Sequence, residues 1–297
     1  MSMLMPTRQA LYGDRTEIAL PGDFVWPGGK RIGVLIGACL EGWSDGKWPG
    51  VSPMGNPLPP GIPDINAMRW AEYAPRRGMQ RILRVLERRN SKATVFVNAI
   101  MAERHPDLVR SIADAGHDLA AHSAAQEIVP ALLDEAQERE NIRRSIDALV
   151  AAAGRRPLGW ASPRGTPSPN SERLFAEAGL IWHADAMDDD LPYLVRFQDK
   201  ALLTIPPSME VNDMPLYAKH GHPPYQFVRV FEDAVESIRQ LGETGKIEVI
   251  IHAHVFARPA CVWAYDEVIR IAQESDDVWV GTWSEVAKHA LAHFDRQ

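Results

Sequence analysis

The run RIGVLIGACLEGW, residues 31–43, decides the fold. From Ile32 to Leu40 every side chain is apolar or glycine, with no polar residue on alternate positions. A strand with one face in water alternates; a strand buried on both faces does not. Doubly buried strands belong to parallel sheets covered by helices. Parallel neighbours need long crossovers, so the rest of the chain should alternate strand and helix.

It does. Strands are expected at ATVFVNA (93–99), HDLAAH (117–122), PLGWAS (157–162), LIWHAD (180–185), ALLTIP (201–206), KIEVIIHAH (246–254) and DVWVGT (277–282). Helices are expected between them. HPDLVRSIADAG (105–116) has Pro106 near its start and Gly116 at its end, the usual order of those two residues. The segment 132–154 sets Ile142, Ile146, Leu149 and Ala153 on one face and stops at Gly154. SPNSERLFAEAG reads as a capped helix, and 225–242 carries Phe227, Phe231, Ala234, Val235, Ile238 and Leu241 on one stripe. Further helices are expected from about Pro259 and from Trp283. About seven such units over this length favour a (β/α) barrel over an open sheet. No Gly-x-Gly-x-x-Gly or P-loop occurs, which argues against a nucleotide-binding doubly wound fold.

The bulk properties bound the partners. The chain has 297 residues, is 45% hydrophobic and carries a net charge of −7 with both signs dispersed. With no basic block, nucleic acid is not an expected partner. No apolar run reaches the roughly 20 residues that cross a bilayer, and the N-terminus lacks an apolar signal core, so no membrane partner and a cytoplasmic location are expected. Cys39 and Cys261 form no C-x-x-C motif, which fits a reduced compartment. Residues 1–30 read as a loop-rich arm and 31–297 as one catalytic barrel domain. The exception is loop 48–64, with six prolines in WPGVSPMGNPLPPGIPD. A loop that long and apolar is expected to cover a pocket or meet another subunit.

In a parallel barrel, chemistry sits just past the C-terminal ends of the strands. Those places hold Glu41, His122, Arg164, His183, Asp185, His252 and His254, with Asp188, Asp189 and Asp190 following. Singly, each has an ordinary explanation: a loop cap, a satisfied histidine, an ion pair such as Arg164 with Asp189, a solvated acidic turn. His117 precedes its strand and belongs to the opposite, structural end; His220 and His222 read as loop residues. Five strands delivering polar groups to one rim is the stronger pattern.

The stretches EYAPRRGMQRIL (from Glu72), RPLGWASPRGTPSPNSERL (from Arg156), DDDLPY (from Asp188), VNDMP (from Val211) and IHAHVFARPA (from Ile251), in that order, resemble the polysaccharide deacetylase superfamily and within it the allantoinase-like branch. The resemblance implies a distorted (β/α)7 barrel in a single α/β domain. It also implies hydrolysis of a carbon–nitrogen bond. Two departures stand out. Where the family has Thr-Phe-Asp-Asp-Gly, with a base and then a metal ligand, this chain has Ala38, Cys39, Leu40, Glu41 and Gly42. Where the family has two histidines four apart, it has His122 and Gln126.

The resemblance therefore implies a small-molecule hydrolase acting on a non-peptide, cyclic amide such as allantoin or a related ureide or imide. Glu41, His122, His252 and Arg164 are the expected catalytic residues: Glu41 as base or metal ligand, His252 as acid, Arg164 toward the oxyanion. Trp43, Trp160, Asp185, Asp189 and His254 are the expected substrate contacts, with Trp182 a further aromatic wall. No redox cofactor is required; a divalent metal such as zinc, at low occupancy on Glu41 and His122 with Asp185 or His183 as third ligand, is the one candidate. The branch is oligomeric, so a homo-dimer or tetramer is expected. Deacetylation of an N-acetylated sugar is the alternative enzyme reading, and a degenerate ligand-binding member the alternative without catalysis.

Overall fold

All nine residues of β2 (Ile32–Leu40) are buried, and the sheet is built outward from it. The computed structural model describes residues 15–51, 58–59 and 61–294. Beside β2 run β3 (Thr94–Val97) and β10 (Gly245–His252), both parallel to it, and β11 (Val278–Gly281) pairs with its first half. Beyond β3 come β4 (Asp118–Ala121), β5 (Gly159–Trp160) and β6 (Trp182–His183), all parallel. Then β8 (Lys200–Thr204) pairs parallel with β6 and antiparallel with β7 (Tyr193–Phe197), which holds β1 (Thr16–Ala19) at the edge. The other edge is β9 (Val211–Asn212) on β10.

The connections are helical: α1 (Ile65–Ala71), a π-turn at Ala74–Gly78, α2 (Met79–Arg88), α3 (Ala99–Arg104), α4 (Pro106–Asp114), α5 (Glu135–Ala153), α6 (Ser171–Glu177), α7 (Pro224–Leu241), α8 (Val262–Glu274) and α9 (Trp283–Phe294). The punctuation expected of the sequence is in place. Asp134 caps α5 and shares a capping box with Gln137, and Gly154 ends the helix in the left-handed region at φ 70°, where glycine carries no Cβ penalty. The expected cap of α6 is absent: Asn170 makes no side-chain cap bond. The helix expected from Pro259 begins at Val262.

The architecture is the α/β barrel type expected from the alternation, but the ladder does not close among the described residues. The open edges are β1 and β9, and irregular chain leads from β8 to β9. Ser208 donates its backbone N–H to Glu248 at 2.8 Å, and buried Lys246 bonds both Glu248 and the Pro206 carbonyl. The β7–β8 hairpin and its pairing with β1 were not expected, because 187–224 lacks clear periodicity. Residues 15–30 also do more than a loose arm would, since Phe24 and Trp26 are buried. A Cβ on Gly33 would lie 2.6 Å from the Trp26 ring, so glycine there admits the indole.

Strand alternation then places the chemistry. On β2, Val34, Ile36, Ala38 and Leu40 face the helices with Val95, Ile112 and Leu149. Leu35 and Cys39 face the other way, with Phe96, Ala120, Trp182, Leu203 and Trp283. Glu41 is next in that second series, as His122 is next after Ala120 and His252 after Ile250. One face of the sheet therefore sends three polar groups to the same rim.

Candidate active site

Glu41 stands just past β2, almost fully buried, among three imidazoles. His252 Nε2 is 3.4 Å and His122 Nε2 3.7 Å from its Oε1, and His254 Nδ1 is 3.8 Å from its Oε2. Gln126 donates its amide N–H to the same Oε1 at 2.7 Å. The glutamine at the second-histidine position thus holds the carboxylate in place. Burial alone would push the Glu41 carboxyl up; His252, then His122 and His254, outweigh it and hold the group well below the usual carboxylate range.

His252 is fixed by Asp213, at the end of β9. Asp213 accepts the His252 backbone N–H at 2.9 Å and its Nδ1–H at 2.6 Å. Burial alone would lower the imidazolium; the Cys39 sulfur and the Asp213 and Glu41 carboxylates reverse that and hold it well above the ordinary histidine value. Parallel register sets His252 opposite Cys39, which is why the sulfur is near. Asp213 was not singled out from the sequence. It lies in VNDMP, a stretch noticed only for its resemblance, and its pairing depends on a sheet register that no local pattern reveals.

His122 sends Nδ1 to the Ala161 carbonyl at 2.6 Å. A carbonyl only accepts, so Nδ1 carries a hydrogen and Nε2 is turned toward Glu41, where it has no hydrogen-bond partner. Asn98 locks this strand end, bonding the His122 carbonyl and accepting the Gly42 N–H at 2.9 Å. His254 is wedged edge-on between Trp43 and Trp70, with ring centroids 5.5 and 4.6 Å away. Burial pushes it down to about 4, so it is neutral near pH 7. Gly78, closing the π-turn, abuts this segment. A Cβ there would sit 1.9 Å from the Ala253 carbonyl oxygen, between the two histidines.

These groups floor a cavity of about 610 Å3. Trp43, Trp70, Phe96 and Trp283 wall it, Arg164 and Lys219 stand at its margin, and Pro49, Gly50 and Val51 of the proline-rich loop reach it. Residues 52–57 and 60 of that loop lie outside the described residues. Three non-glycine residues at or beside the cavity hold left-handed backbone: Ser123 at φ 60°, Arg164 at φ 61° and Met209 at φ 65°. Such conformations are disfavoured for residues with a Cβ and concentrate at functional sites.

Of the expected residues, Glu41, His122, His252, His254, Trp43 and Arg164 are brought together. The others are not. Trp160 is core and bonds Ser162 through its indole N–H, and Trp182 bonds Ser284; Trp70 and Trp283 take the places expected of them. Asp185 faces Ser162, accepting its N–H and its hydroxyl at 2.6 Å each, with burial pushing its carboxyl up to about 6. Asp189 is exposed and accepts the Leu191 N–H. The Arg164–Asp189 pair that would have been the ordinary explanation of Arg164 is absent among the described residues. His183 bonds Thr204 at 2.8 Å and lies away from the cavity. Neither it nor Asp185 can therefore supply a third metal ligand. His220 and His222 are exposed beside each other.

The donor set nevertheless fits a metal. Cys39, Glu41 and His252 offer ligand atoms that all lie within 4.8 Å of one another, a sulfur, an oxygen and a nitrogen of the kind zinc takes. The partnerless Nε2 of His122 facing the carboxylate is a further donor wanting a positive neighbour. The expected pair of Glu41 and His122 is thus widened by Cys39 and His252. Asp213 and the Ala161 carbonyl orient the two imidazoles as outer partners of metal-bound histidines do.

Comparison with known proteins identifies the family. The polysaccharide deacetylase family profile matches residues 72–181. A curated relative, a putative polysaccharide deacetylase of Schizosaccharomyces pombe, is 25% identical over 238 residues, 73% of either chain. The crystal structure of a probable polysaccharide deacetylase from Pseudomonas aeruginosa PAO1 is 31% identical, with TM-score 0.81 over 89% of this chain and 92% of that one. The crystal structure of the PuuE allantoinase is 30% identical, with TM-score 0.82 over 90% and 92%. With the barrel, the rim histidines and these likenesses in agreement, the chain belongs to the polysaccharide deacetylase family of hydrolases.

Proposed function

We propose that this protein hydrolyses a carbon–nitrogen bond in a small cyclic amide: a ureide, hydantoin or imide. The observation that carries the reading is the Asp213–His252 pair standing over Glu41 at the floor of an aromatic-walled cavity. A flat ring suits such walls, and the likeness to the PuuE allantoinase supports this substrate class.

Water adds to the ring carbonyl carbon. Its proton passes to His122 Nε2, which is free to accept one in the tautomer that the Ala161 carbonyl selects. Glu41, ionised and of low proton affinity, orients the water and steadies the protonated imidazole. The carbonyl oxygen becomes an oxyanion, which Arg164, lining the cavity, is suited to stabilise. As the tetrahedral centre collapses, the C–N bond breaks and the nitrogen takes the Nε2 proton of His252, whose positive charge Asp213 stabilises until transfer. The products are a carboxylic acid and an opened amine or urea. A divalent metal on Cys39, Glu41 and His252 would polarise the carbonyl and acidify the water; it would take His252 Nε2 in place of the proton, so the acid step belongs to the metal-free enzyme.

The second reading is deacetylation of an acetylated sugar, favoured by relatives such as the Helicobacter pylori peptidoglycan deacetylase. Against it stands Leu40, which occupies the family's base position and packs into the helix-side core. A panel of ureides, hydantoins and cyclic imides, run beside acetylated chito-oligosaccharides with and without Zn2+, Mn2+ or Co2+, separates the two. Ring opening is expected. Rapid acetate release with inert rings would replace this reading by the second, and silence throughout would leave a binding protein.

A further inference from the structure

Next to the catalytic cavity lies a second concavity of about 910 Å3, with Trp70 lining both. Arg69, Arg76, Arg77 and Arg258 line it with Trp70 and Tyr73, and no carboxylate does. Arg76 and Arg77 come from the π-turn APRRG, whose closing Gly78 is pressed on the Ala253 carbonyl. The Arg258 guanidinium stacks 4.1 Å above the Tyr73 ring. Arg81 bonds the Tyr73 hydroxyl and the Ala257 carbonyl, so the floor of the groove is fixed.

The four guanidiniums have no carboxylate partner among the described residues. Elsewhere the chain pairs its arginines freely: Arg139, Arg173, Arg239 and Arg270 each meet an acid. Converging like charges repel, and four of them in one concavity on a chain of net charge −7 is a local inversion of sign. Guanidinium forks match carboxylate and phosphate oxygens in pairs. An extended nucleic-acid backbone would meet the surrounding negative charge, whereas a small ligand would not leave the groove.

We propose that this groove binds a small polyanion bearing at least two carboxylate or phosphate charges, at a site distinct from the catalytic cavity. The site does not depend on which amide the enzyme opens.

Isothermal titration of the full chain at low ionic strength, with pyrophosphate in one arm and citrate in the other, tests it. One saturable site is expected. It should weaken with added salt and by at least about tenfold in Arg76→Gln/Arg77→Gln. Both side chains are exposed, and an unchanged melting temperature without ligand certifies the variant's fold; Arg258→Gln serves as the second variant. Tighter pyrophosphate assigns a phosphate ligand, tighter citrate a carboxylate one. No saturable heat with either anion at millimolar concentration would overturn the proposal. So would binding that both variants leave unchanged.

Discussion

A carboxylate buried among three imidazoles is a different reagent from one in water. Glu41 stays ionised chiefly because protonated His252 stands beside it, and His252 stays protonated because Asp213 and Glu41 flank it. His252→Ala should lower kcat by about 100-fold or more with an intact fold, the scale of losing a general acid; circular dichroism and steady-state rates check it together. The pH profile gives a finer test. An acid whose value is raised works until pH climbs through that value, so activity should persist above the usual histidine range and fall on the alkaline side. Asp213→Asn removes the stabilising charge, and the alkaline limb should move to lower pH. An unmoved limb would mean that Asp213 merely holds the backbone. Glu41, His122 and His252 were legible in the sequence because strand ends are. Asp213 and Cys39 were not, since their roles rest on which strands become neighbours.

At the scale of elements, the π-turn at Ala74–Gly78 sets the height of the segment bearing both late histidines. Gly78→Ala would force its new methyl into the Ala253 carbonyl, so the backbone must shift. We expect about 1–3 kcal/mol of lost stability, as for other overpacked sites, with kcat falling more than KM rises; thermal melts and kinetics separate these. The strand end at β6 makes a second prediction. His183 is fully buried, and burial holds it down to about 3 against an ordinary 6.5. Below 6.5 the unfolded chain takes a proton that the folded chain refuses, so stability falls as pH drops from there toward 3, by about 1.4 kcal/mol per pH unit. His183→Gln should flatten that slope in urea titrations between those limits. It should not abolish it, because His117 and His254 are also held low by burial. An unchanged slope would mean that His183 titrates normally. The alternation of strand and helix made most elements legible, whereas the β7–β8 hairpin and β9 were hidden by short strands of two to five residues.

At the scale of the molecule, the barrel was readable because β2 is apolar on both faces, while the open edges at β1 and β9 were not. The segment after β8 is held by a buried Lys246–Glu248 pair on β10, which reads in sequence as ordinary strand polarity. The loop 48–64 leaves Val51, Leu58 and Ile62 exposed, with Ile65 following at 55%. Apolar side chains so close together in a chain without charges from Pro49 to Ile62 are expected to meet another subunit, and proline lowers the entropy of docking them. Light scattering after size exclusion should give a dimer or tetramer; a monomer near 33.1 kDa at micromolar concentration would contradict this. The central claim is that the His252–Glu41 floor opens small rings. Its most direct measurement is NMR-monitored turnover of a hydantoin and a cyclic imide by the wild type and by His252→Ala. The account predicts stoichiometric ring-opened acid from the wild type and at least about 100-fold less from the variant. Equal rates from the two proteins, or intact rings beside acetate released from chito-oligosaccharide, would contradict it.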